Sequence, residues 1–154
     1  MYATCQHGHQ HWGVAGAAGG LVVAPSESGP LVLLTLRSAA VHEGNTWSVP
    51  GGAIDPGDHD AHAAACREIH EELGYDVAGM PVLGRHEFDC GGWTYSTVLL
   101  RTQATVPLVD DGWETEQVAW FPVPEVDRLA EAAVLHPGFA ASWPDLRRLV
   151  INSS

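Results

Sequence analysis

Apolar positions fall into two kinds of run along this chain. GVAGAAGGLVVA (13–24) and LVLLTLR (31–37) are nearly continuous and are separated by the turn-prone PSESGP, which predicts two strands covered on both faces. AHAAACREIHEEL (61–73) has helical spacing instead: Cys66, Ile69 and Leu73 share one arc, and Glu68, Glu71 and Glu72 share a different arc of about 100°. Asp60 stands at the N-cap position, the alanines favour helix, and Gly74 stands where a left-handed C-cap belongs. Upstream, NTWSVPGGAIDPGDHD (45–60) is dense in turn formers and predicts a loop leading into the helix. Strands follow near 80–89 and 93–102, joined by a turn at CGG (90–92). WETEQVAWFPV (113–123) predicts another strand ended by Pro122, and PEVDRLAEA and FAASWPDLRRLVI predict two helices, the first with Pro124 in its opening turn. Strands interrupted by one helix and closed by others predict an α/β or α+β layered sheet in a single domain over 1–154.

At 154 residues the chain can bury a core without disulfides or a structural metal. Charge narrows its partners. Nineteen acids face seven bases, all of them arginine, for a formal charge of −12, so bulk nucleic acid and anionic membranes are disfavoured. A small polyphosphate remains compatible if divalent cations bridge it to carboxylates. Cys5, Cys66 and Cys90 form no CxxC pair, the N-terminus lacks a basic start followed by an apolar core, and no run approaches membrane-spanning length. These features lead us to expect a cytoplasmic protein with reduced thiols, either monomer or homodimer.

The three helix glutamates carry the candidate chemistry. Like charges three and four apart repel, so compensation is expected from outside the helix. Carboxylates at i, i+3 and i+4 can converge on a hard cation, whereas the plainer reading is a solvated helix face. PGG and DPGD just upstream would let backbone groups approach the same ion and a phosphate. Cys5, His7, His9 and His11 alternate, and an extended segment would project all four to one side. Their spacing matches no common zinc module, so an ordinary terminal strand is the plainer reading there too.

GGAIDPGDHDAHAAACREIHEELGY (51–75) resembles the Nudix box, G-x5-E-x7-R-E-U-x-E-E-x-G-U with U aliphatic. Gly52, Arg67, Glu68, Ile69, Glu71, Glu72 and Gly74 match, and Tyr75 takes the final hydrophobic place. Two departures stand out: the first acid is Asp58, and eight residues separate it from Arg67. Either His59 is an insertion before the cap Asp60, which a loop absorbs at little cost, or the first acidic role is lost; we favour the insertion. GAAGGLVV, VLLTLR, NTWSVPGG and EQVAWFPVPEV extend the resemblance over residues 12–130, and CQHGHQHWG and LHPGFAASWPDLR look like features of small bacterial, MutT-like members.

This resemblance implies a Nudix-type α/β/α sandwich, with a mixed β-sheet and the Nudix helix packed on it. It also implies Mg²⁺- or Mn²⁺-dependent hydrolysis of a diphosphate linkage in a nucleoside diphosphate derivative, with a (d)NTP or damaged nucleotide the leading substrate. ADP-ribose, a nucleotide sugar or a dinucleoside polyphosphate are alternatives within the class, and a non-catalytic nucleotide-binding domain is the alternative outside it. Glu68 and Glu72 are then the leading metal ligands, Glu71 joins directly or through water, the Gly52 carbonyl is a further ligand, and Arg67 orients the array. The general base is a helix glutamate or a distant loop acid, for which Glu114 is chosen ahead of Glu116. Arg37 is the candidate for a phosphate or base edge, while Trp93, Tyr95, Trp113 and Phe139 are candidate stacking faces. His136 could approach the site, although a helix-start role suits it better.

Overall fold

The computed structural model describes residues 2–4, 8, 10–12, 16–37, 44–103 and 115–153. A short hairpin, β1 (Tyr2–Thr4) with β2 (Gln10–Trp12), forms its own two-stranded sheet. The main sheet holds β3 (Ala17–Ala24), β4 (Leu31–Arg37), β5 (Trp47–Ser48), β6 (Gly51–Ala53), β7 (Val82–Cys90), β8 (Trp93–Arg101) and β9 (Thr115–Pro122). Its order is β5-β4-β3-β8-β7, with β6 also paired to β3 and β9 to β4. Among the strand pairs of the described residues only the central β3–β8 pair is parallel, so the sheet is mixed.

Helix α1 (Ala61–Leu73) covers one face, and α2 (Val123–Glu131) and α3 (Pro137–Asn152) cover the other. The unbroken apolar run of β3 follows from this sandwich. Leu21 and Val23 pack with Val126 of α2 and with Phe139, Trp143 and Leu146 of α3, whereas Val22 packs with Ala65, Ile69 and Leu73 of α1. Each such side chain taken fully out of water contributes about 1.5–3 kcal/mol. The predicted α/β/α sandwich with a mixed sheet is the architecture found.

The caps of α1 also follow the sequence. Asp60 Oδ1 accepts the Ala63 N–H at 2.8 Å, and Gly74, at φ 64°, closes the helix in the left-handed region. The loop expected over 45–60 differs: it contains β5 and β6. Proline and glycine are poor strand formers, which hid β6 from a reading of local propensity. Its pairing with β3, Ala17 to Ala53, Ala18 to Gly52 and Gly19 to Gly51, is a tertiary effect. Helix α3 starts at Pro137, not Phe139, and His136 is its N-cap, with Nδ1 accepting the Gly138 N–H at 3.1 Å. Among the described residues no helix is long and apolar enough to cross a membrane.

Candidate active site

The site forms where the first residues of β3, strand β6 and the acidic face of α1 meet. Glycine makes that approach possible. A Cβ on Gly52 would lie 2.6 Å from Glu68 Oε1, so the Glu68 carboxylate occupies the space that any larger residue would fill. One residue earlier, the Gly51 N–H donates to Glu72 Oε2 at 3.1 Å. Two carboxylates one helical turn apart are therefore seated on two consecutive glycines.

Arg67 ties the rest together. Its Nε and Nη2 donate to the two oxygens of Asp58, each at 2.9 Å, a bidentate fork. Nη1 reaches Glu68 Oε1 at 3.1 Å and Glu71 Oε2 at 3.2 Å, and Nη2 also donates to the Ala53 carbonyl at 3.1 Å. Asp55 lies 3.5 Å from the same guanidinium. The compensation that the sequence placed outside the helix is thus supplied in large part from within it, because the Arg67 stem is long enough to cross to Glu71 at i+4. The Asp58 side chain is 7% exposed and that of Glu71 57%, so the Asp58 pair is the stronger of the two.

Charge states follow from these contacts. The Arg67 hydrogen bond, opposed by burial and aided by the Asp55 N–H at 2.8 Å, holds the Asp58 carboxyl below the ordinary aspartate range. Asp58 in turn is the main cause that raises the Arg67 guanidinium further above its ordinary value. Burial pushes Glu68 above the usual glutamate range even though Arg67 pulls the other way.

Tyr95 lies on the opposite face of the sheet. Its hydroxyl fills the space where Cβ atoms of Gly19 and Gly51 would be. Burial, followed by the Glu72 charge, raises its phenol above the ordinary tyrosine value, while Arg37 acts the other way. The Trp93 ring stands 6.4 Å from that of Tyr95. Arg37 ends β4, with its N–H donating to Thr46 O and its carbonyl accepting from Asn45 N, both at 2.9 Å. Arg37, Trp93 and Tyr95 are therefore gathered at the glutamate end of the sheet. Phe139 is not: it is 5% exposed in the core, its ring 5.8 Å from Trp143, so it offers no stacking face. His136 serves α3 as its cap.

Glu114, Trp113, Cys5, His7 and His9 lie outside the described residues, and the structure describes only the backbone of Glu116 and His11. Thr4 pairs with Gln10, which puts His11 on the returning strand of the hairpin. Among the described residues no three His, Cys, Asp or Glu side chains are gathered as a preformed ion cluster. The hard-oxygen donors Glu68 and Glu72 nevertheless suit a small divalent cation, and the glycine seat of Glu68 leaves room for a carboxylate where most residues would exclude one. Cavities lined by Pro25 and Arg101 lie at the far end of β3 and do not border these glutamates. Sequence reading missed the Asp55 and Ala53 contacts and the place of Tyr95 beneath the glycines. The paired glycines, GG at 19–20 and again at 51–52, were the signal available for the last of these.

A family model for the NUDIX domain matches residues 15–142. The chain is 38% identical to the "Putative 8-oxo-dGTP diphosphatase 3" of Mycobacterium tuberculosis (strain H37Rv), a match covering 95% of this chain and 68% of that protein. It is 31% identical to a "Nucleoside triphosphate pyrophosphatase/Nudix hydrolase fusion protein" of Bifidobacterium longum, over 94% of this chain and 32% of the relative. Among solved structures, the Nudix hydrolase RenU from M. smegmatis superposes with a TM-score of 0.84 at 33% identity, covering 97% of this chain and 93% of that one.

Proposed function

The chain belongs to the Nudix hydrolase family, and on that premise we propose that it hydrolyses the diphosphate linkage of a nucleoside triphosphate or its oxidised form. The observation that carries the chemistry is the pair of carboxylates, Glu68 and Glu72, seated on Gly52 and Gly51. The named activity of the M. tuberculosis relative supports the choice of substrate.

Glu68 and Glu72 would hold a Mg²⁺ or Mn²⁺ ion, with Glu71 and the Gly52 carbonyl completing the donor set. When bound, the ion supplies charge neutralisation at the diphosphate and acidifies the attacking water. The residues of the chain do the rest. Arg67, anchored by Asp58, fixes the rotamers of Glu68 and Glu71 so that their oxygens need not reorganise. Arg37 meets a phosphate or base edge of the nucleotide, and Trp93 offers a face to the base. In the reaction, water oxygen forms a new bond to phosphorus, the bridging oxygen leaves with its phosphate, and a base takes one water proton; that base is a helix glutamate or a distant loop acid, for which Glu114 is our choice.

The test is a panel of nucleoside triphosphates, 8-oxo-dGTP, ADP-ribose, a nucleotide sugar and a dinucleoside polyphosphate, each with Mg²⁺ and with identification of products. Monophosphate and pyrophosphate from a triphosphate are expected. Turnover confined to ADP-ribose or a dinucleoside polyphosphate would overturn the substrate assignment, and silence across the panel with every divalent ion would overturn the enzyme reading. A second expectation concerns the glycine seat. In Gly52→Ala the added Cβ forces the Glu68 carboxylate aside, so Mn²⁺ affinity measured without nucleotide falls roughly tenfold or more. Unchanged affinity would remove Glu68 from the ligand set.

A further inference from the structure

We propose that Tyr95 is a positioning residue for the glutamate pair, acting through the backbone of β6 from the opposite face of the sheet. The inference rests on the hydrolase reading for the meaning of the site, but its geometry stands apart from any substrate. Strand β6 is three residues long and pairs with β3 only at Ala17, Ala18 and Gly19. Two of its three residues are glycines, which have no side chains to pack, so the strand is held by its ladder and by whatever rests on its two faces.

On the α1 face rest the two carboxylates, Glu68 against Gly52 and Glu72 on the Gly51 N–H. On the other face rests Tyr95. The parallel register of β8 on β3 sets Tyr95 beside Ala17, and its ring crosses Gly19 so that the hydroxyl comes to lie against both Gly19 and Gly51. The Cβ positions of both glycines are spoken for by that one oxygen, and Pro50 O and Ala18 O close the remaining space. Removing the hydroxyl takes away the contact behind the peptide that donates to Glu72. Strand β6, with no side chains at Gly51 and Gly52 to hold it, then shifts toward the vacated space. The Gly51 N–H then loses its fixed aim, and Glu72 loses its fixed place.

Tyr95→Phe tests this, since it removes one oxygen and keeps the ring beside Trp93. Mn²⁺ affinity without nucleotide, measured by water-proton relaxation, is expected to fall about three- to tenfold. With the best nucleotide at saturating metal, kcat should fall by a similar factor while KM stays within about twofold. Val126→Ala, in the buried core under α2, is the control for general loosening and should leave Mn²⁺ affinity near that of the wild type. Raised KM with unchanged Mn²⁺ affinity would make Tyr95 a substrate contact and overturn the proposal. So would equal losses of affinity in Val126→Ala, or no change in Tyr95→Phe. A wild-type protein that binds Mn²⁺ but hydrolyses nothing would end the hydrolase reading alone, because the affinity comparison would still decide the role of Tyr95. A wild type that binds no Mn²⁺ would end both.

Discussion

Glu72→Gln is expected to lower kcat on the best nucleotide by on the order of 10²- to 10³-fold while leaving the fold intact. The substitution suits the question because the glutamine oxygen can still accept from the Gly51 N–H, which Glu72 Oε2 does at 3.1 Å, so the seat on β6 survives and only the charge is lost. Repulsion with Glu68, one turn away, is relieved at the same time, so thermal stability should hold or rise slightly. A loss of turnover without a loss of stability therefore isolates the electrostatic role. The check is steady-state kinetics over a Mg²⁺ series, with the thermal midpoint measured in parallel. Wild-type kcat in the variant would mean that Glu72 carries no metal-holding role, and the carboxylate pair would lose its meaning as a site.

Much of this arrangement could be read from local signals, and what escaped did so for identifiable reasons. Helix α1 was legible from end to end, because Asp60, the alanines and Gly74 are cap and propensity signals that act within a few residues. Arg67 reaching Glu71 is likewise a local spacing effect. The sandwich showed itself in the unbroken apolar run of β3, each face of which meets a different helix. Strand β6 was not legible, because Gly51 and Gly52 carry little strand propensity and are held by a partner more than thirty residues upstream. The role of Asp58 was open for a similar reason. The eight-residue spacing to Arg67 leaves both a retained and a lost pairing possible, and only the path of the 55–60 turn brings the carboxylate back to the guanidinium at 2.9 Å. Supposing an insertion at His59 was enough to keep α1 in register, and the same supposition leaves Asp58 free to turn inward.

Arg67→Ala should be the most destabilising change at the site, by about 2–4 kcal/mol at pH 7. The variant leaves Asp58, whose side chain is 7% exposed, without its bidentate partner, and leaves Glu68 half-buried with its nearest cation gone. At roughly 2–4 °C per kcal/mol for a domain of this size, the thermal midpoint should fall by about 4–16 °C. The pH dependence identifies the cause. In the wild type the Asp58 pKa is lowered on folding from its ordinary value of 3.8, so its contribution is full above that value and is lost as pH falls through the lowered folded value. Glu68 has the opposite sign: its folded pKa is already raised by burial, so its ionised form opposes folding above the ordinary glutamate range, and without Arg67 it opposes folding more strongly. Both effects make the deficit of the variant largest near neutrality; the Glu68 part shrinks as pH falls through its raised folded value toward the ordinary 4.5, and the Asp58 part follows at lower pH, below the ordinary 3.8. Arg67→Lys should recover only part of the loss, since an ammonium supplies the charge but not the fork that meets both oxygens of Asp58. Midpoints of the three proteins, measured by circular dichroism between pH 7 and pH 3, decide it. A deficit that stays constant across that range would assign the loss to packing of the arginine stem, and no deficit at pH 7 would mean that the Asp58 clamp does not organise the site.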